Sequence, residues 1–184
     1  ELAIQAIEVE ISGHKIEKAG LEIFKKLLYA SGSELEQIFA LCIEKLGAKI
    51  LPAKYSDEEF VIEYKSAEYL VECKGIGKSI ARAHVVQLLG YIAKYEENEG
   101  RAGKGILLGN AWRDTPPADR VHPAFPDNVI ASAISNDIAL VSSVDFFQAF
   151  CSFLQGDKTG EEILDTIVGA VGVVEFEKAI AVSA

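Results

Sequence analysis

Three short runs rich in β-branched and aromatic residues crowd into the stretch before Gly75: AKILPA at 48–53, FVIEY at 60–64 and YLVECK at 69–74. The segments between them hold polar turn residues, Ser56-Asp57-Glu58 in the first and Lys65-Ser66 in the second. Parallel neighbours need a dozen or more connecting residues, so strands this close in sequence form antiparallel hairpins. This narrows the choice of folds more than any other feature of the chain.

The texture differs on either side. Upstream, Ile16, Ala19, Ile23, Phe24, Leu27 and Leu28 fit an amphipathic helix, and Ser31-Gly32 breaks it. Ser33 followed by Glu36 reads as a capping box. It opens a helix that stripes Leu35, Ile38, Phe39, Cys42, Ile43 and Leu46 along one face and stops at Gly47. Downstream, Gly75 and Gly77 end the third strand. A helix over about 80–95 comes next, with Ala81, Val85, Leu88, Ile92 and Tyr95 inward, then the apolar run KGILLGN at 104–110, a buried central strand. A helix near 129–135, the strand IALVS at 138–142, a phenylalanine-rich helix VDFFQAFCSFL and a short helix within 157–170 complete the order. Residues 1–12 fit strand or helix equally, and the tail from Gly169 is weakly patterned. Hairpins followed by alternating helix and strand predict an α/β fold, a mixed sheet with helices on its faces. The expected layout is an N-terminal helical arm over 1–31, a domain over 32–156 and a C-terminal extension over 157–184.

With 28 acidic and 18 basic residues the net charge is −10, which argues against a polyanionic partner. The distribution reverses that locally. Residues 1–72 carry a net −6 and 121–184 a net −7, but 73–120 carry +3. Three cysteines without a C-x-x-C pair, Cys42, Cys73 and Cys151, fit reduced thiols in the cytoplasm. The histidines His14, His84 and His122 have no zinc-ligand spacing. No apolar run reaches the roughly 20 residues of a membrane span, and no signal-peptide pattern opens the chain. The lack of any methionine, position 1 included, is the pattern of a segment from a longer protein.

The basic third opens with YLVECKGIGKS, and its ending resembles a phosphate-binding loop. That loop needs a glycine at position 72, where Glu72 would repel the phosphates. Read as a strand, Glu72 and Lys74 share one face while Cys73 points into the core. A carboxylate for a hard cation and an ammonium for the attacking water suit metal-dependent phosphodiester cleavage. The plainer alternative is a surface ion pair, worth up to about 1 kcal/mol. Glu36 equally reads as a helix cap, Gln87 and Tyr91 as ordinary helix neighbours, and Trp112 as packing under its proline-rich loop. The phenylalanine helix is core or a face for neighbouring domains.

In order, SELEQIFALCIEKLGA, VECKG, QLLGY and KGILLGN resemble the conserved elements of the PD-(D/E)xK, or restriction-endonuclease-like, nuclease superfamily across residues 32–150. QLLGY, Gln87 to Tyr91, is similar to the Q-x-x-x-Y of its RecB-like branch. The resemblance implies a Mg²⁺- or Mn²⁺-dependent endo- or exodeoxyribonuclease, or a silent relative that binds DNA or protein within a larger assembly. Glu72 is then a metal ligand, together with the Cys73 carbonyl and either Asp57 or Glu59, which stand near the place of the family's aspartate. Lys74 becomes the catalytic lysine, with Glu36 supporting the metal and Gln87 and Tyr91 bracing the site. Lys78, Arg82 and His84 at the start of the helix, and Arg113 and Arg120 beside Trp112, are the expected DNA contacts. A homodimer is a further expectation.

Overall fold

The structure is a computed structural model that describes residues 20–53 and 60–177. A short 3-10 turn, Ile23–Lys25, runs into α1 (Lys26–Tyr29) and then α2 (Gly32–Leu46). The strands β1 (Lys49–Pro52), β2 (Phe60–Tyr64) and β3 (Ala67–Ile76) come next, then α3 (Arg82–Glu99) and β4 (Lys104–Ala111). A proline-rich loop with a 3-10 turn at Pro117–Asp119 leads to α4 (Asp127–Ile134), β5 (Ile138–Ser142), α5 (Ser143–Gln155), α6 (Gly160–Gly169) and β6 (Gly172–Val173).

All six strands form one sheet in chain order. β1, β2 and β3 pair antiparallel, as their short connections require, and β3 to β6 pair parallel. Lys65 and Ser66 join β2 to β3 with φ values of 48° and 63°, the tight turn whose twist suits a hairpin. The mixed sheet flanked by helices follows the sequence closely, and β6 is the strand that the weakly patterned tail concealed.

Alternation along β3 divides two cores. Val71 and Cys73 face a layer of α1, α2, α5 and α6 that includes Phe39, Phe146 and Phe150. Leu70 faces the opposite layer, where α3 and α4 bring Leu88, Tyr91, Ile92, Tyr95 and Val129. Cys73 is a core residue, as its strand position predicts.

Both expected boundary segments join these cores over their described length. Phe24 and Leu27 of the arm, and Ile163, Leu164 and Ile167 of the extension, lie in the same cluster as Phe39. The reason is geometric, because α2 alone leaves much of its side of the sheet uncovered. α6 reaches it through Gly160, where an added Cβ would come within 2.8 Å of the Leu46 carbonyl carbon. Asp165 and Glu161 then accept Lys65 from the hairpin turn.

Candidate active site

β3 presents Glu72 and Lys74 on the α3 face of the sheet, near its C-terminal end. The α1–α2 junction crosses the other face of β3 at Gly75, where a Cβ would meet the Ala30 carbonyl oxygen and lie 2.8 Å from Ser31 Cα. This close passage brings the start of α2 to the strand. The helix begins at Gly32 after Ser31, and no side chain caps it. Glu36 is therefore not the capping residue expected from its spacing; its charge acts on Glu72 instead.

Glu72 and Lys74 form an ion pair in which the glutamate side chain is 0% exposed and the lysine 25%. A solvated surface pair was the plainer alternative, and the complete burial of the carboxylate argues against it. Desolvation pushes the Glu72 carboxyl above the ordinary carboxylate range, against the pull of the Lys74 ammonium; Glu36 adds to the rise and the Tyr91 hydroxyl reduces it. The Lys74 ammonium and the Tyr91 hydroxyl are the groups set against this carboxylate. A carboxylate withdrawn this completely from water is rare and calls for a reason.

The helix after the strand supplies the second layer. Gln87 Nε2 donates to the buried Tyr91 hydroxyl, and that hydroxyl lies against Glu72. His84 is half-buried, and its Nδ1 accepts the Ala81 N–H at 3.3 Å. Burial, then the charges of Lys74 and Lys78, hold its pKa below the usual histidine value. Lys78 and Arg82 are exposed where α3 begins.

The loop after β4 is stapled back toward the same end. Trp112 N–H donates to the Lys78 carbonyl at 3.2 Å and Arg113 N–H to the Ile76 carbonyl at 3.1 Å. Arg113 keeps one side in solvent and donates to Ser31 Oγ at 3.2 Å. Arg120 departs from the expected DNA contact. It donates to the carbonyls of Thr115, Leu28 and Arg113 and to Asn110 Oδ1, so its guanidinium is a clamp inside the protein. Asn110 was missed at the sequence level. Fully buried, it accepts from Arg120 and from Ser143 Oγ at 3.0 Å each and donates to the Ala30 carbonyl at 2.9 Å. The signal for it was an amide at the end of an otherwise apolar run.

A divalent cation is tested here by donor chemistry. The buried carboxylate of Glu72, with a second carboxylate at Glu36 near enough to act on it, offers hard oxygen donors of the kind such a cation takes. Among the described residues no three His, Cys, Asp or Glu side chains group as a metal site. Asp57 and Glu59, the expected further ligands, lie outside the described residues.

The structure superposes on that of restriction endonuclease FokI with a TM-score of 0.56 over 83% of this chain and 30% of that chain, at 13% sequence identity. The fold is restriction-endonuclease-like. This chain spans less than a third of FokI's length. No protein-family model matches the chain. No curated protein matches it either. Within the restriction-endonuclease-like fold, Glu72 and Lys74 occupy a strand flanked on one side by an antiparallel and on the other by a parallel neighbour. Among the described residues, no helix is long and apolar enough to cross a membrane.

Proposed function

We propose that this protein is a metal-dependent nuclease that hydrolyses DNA phosphodiester bonds. The observation that carries this reading is the fully buried Glu72 carboxylate, paired with Lys74 and met by the Tyr91 hydroxyl, in a restriction-endonuclease-like sheet. In this reading Glu72, the Cys73 carbonyl and Asp57 or Glu59 hold Mg²⁺ or Mn²⁺, with Glu36 supporting them. The bound cation supplies Lewis acidity at the phosphate and acidifies a water. Lys74 orients that water and offsets charge gathering on the phosphate oxygens. Tyr91, held by Gln87, keeps Glu72 turned toward the site. Lys78, Arg82, His84 and Arg113 meet the phosphates flanking the cut, which gives contact without base reading. Its free thiols fit a cytoplasmic setting.

Labelled single- and double-stranded DNA, incubated with Mg²⁺ and with Mn²⁺, tests this directly. The parent should cut, and Glu72→Gln and Lys74→Ala should each lose at least about a hundredfold in rate. Cutting that survives both substitutions would remove these residues from the chemistry.

A second reading rests on the direct pairing of Glu72 with Lys74, which can neutralise the carboxylate without an ion. The domain would then be a silent nuclease fold that binds DNA or protein. Calorimetric titration separates the two, since heat of Mn²⁺ binding that Glu72→Gln abolishes supports the enzyme, and none supports the silent module.

A further inference from the structure

Beside Lys74, on the same side of the sheet, lies a cavity of about 330 Å³. Gly109 of β4 lines it and is the register partner of Lys74, so the cavity opens on the strand next to the one that carries the catalytic pair. Its wall includes Ile130 and Phe125, its floor the start of α5 at Ser142 and Ser143, and its lip Trp112 and His122.

Trp112 is held there at a conformational cost. Its φ of 56° lies in the left-handed region, which bulky side chains rarely adopt. Strained backbone of this kind persists where its surroundings over-determine it, often at ligand sites. Three bonds do so: its N–H reaches the Lys78 carbonyl at 3.2 Å, its carbonyl accepts the Thr115 N–H at 2.8 Å, and its indole N–H donates to the Pro123 carbonyl at 3.2 Å. The ring stays at the lip beside His122, with centroids 5.2 Å apart and planes tilted by 42°.

The charges around the cavity reject a phosphate. Arg120 lines it, yet its donors are committed to protein oxygens, and Asp145 sets a carboxylate at the rim. What remains is apolar walls, two aromatic faces, a carboxylate acceptor and the Ser142 hydroxyl. Among the described residues that hydroxyl accepts only the Asp145 N–H, at 3.4 Å, and its own hydrogen is available to donate. These groups suit a flat, uncharged, amine-bearing ring.

We infer that the cavity is a nucleobase pocket, which receives an unpaired base next to the phosphate attacked at Glu72 and Lys74. This rests on the nuclease reading and deepens it. The substrate is a strand that is single-stranded, or unpaired, beside the cut, since a base inside a duplex cannot enter.

Trp112 is the sole tryptophan of the chain, so its fluorescence reports on the pocket alone. The experiment titrates the protein, in EDTA, with a short single-stranded DNA, the same strand made abasic, and a blunt duplex. Anisotropy of labelled DNA measures total binding in parallel. The expected result is that the single strand quenches Trp112 while the abasic strand and the duplex do not. His122→Ala, an exposed position, should weaken the single strand at least about fivefold. Val144→Phe, which fills the cavity, should remove its preference over the abasic strand. Equal quenching by the abasic strand overturns the pocket, as does binding that leaves Trp112 unchanged, and both leave the nuclease reading intact. Base-dependent quenching by a protein that cuts no DNA with either metal keeps the pocket and overturns the nuclease. No binding of any strand overturns both.

Discussion

Glu72 is charged against the preference of its surroundings, and pH gives the measure of that. Its carboxyl titrates above the ordinary range because burial outweighs Lys74. Below that range the side chain is neutral in folded and unfolded chains alike, and contributes nothing. As pH rises the unfolded chain ionises first, so stability falls until the folded group has ionised too. Glu72→Gln should therefore raise the melting temperature at pH 7 to 8, with the gain vanishing below about pH 4. Melting curves across that window check it, and a gain independent of pH would contradict the assignment. Lys74 tolerates the loss of its partner because it is a quarter exposed and can turn to solvent. The converse substitution is less benign. Lys74→Ala strands a buried carboxylate and should cost about 1–3 kcal/mol in chemical denaturation, where a surface pair would cost almost nothing. From the sequence, the E-x-K spacing and its shared face were legible. The burial was not, because it comes from helices that only the tertiary fold brings over the strand.

Among the elements, the β2–β3 hairpin was read correctly from its short connection, and its turn explains a local inefficiency. Ser66 sits at φ 63° where glycine has no steric penalty. Ser66→Gly should stabilise the protein by about 0.5–1 kcal/mol, read as a shift in denaturant midpoint. Gly75 behaves in the opposite sense. Its φ is ordinary, but Gly75→Ala drives a methyl into the Ala30 carbonyl and Ser31, and should destabilise by about 1–3 kcal/mol. The start of α2 was misread for a related reason. Ser33 and Glu36 carry the capping spacing, yet the junction at Ala30 is pinned by the Asn110 amide and the chain enters the helix two residues early, with Ser31 in the N-cap position. A local motif lost to a tertiary bond that no window of sequence contains.

For the whole molecule, the striped helices and strand order were legible, and the domain limits were not. The sequence places a short helix within 157–170, but only packing shows that Ile163, Leu164 and Ile167 close the core under Phe39. Ending the chain after residue 156 should therefore abolish cooperative unfolding, followed by near-ultraviolet dichroism or calorimetry. Survival of a sharp transition would show that the extension is dispensable.

Among the described residues, the two borders of the sheet bear on how copies of this protein meet. β1 is four residues long and ends at Pro52, which has no amide hydrogen to offer, and Lys49 stands at its other end paired with Glu63. β6 is two residues long. Borders this brief, one of them tipped by proline and lysine, make poor templates for a strand from another chain and guard against fibrous stacking. Self-association, where it occurs, is therefore a matter of helical surfaces, and a homodimer of this protein should form without lengthening its sheet.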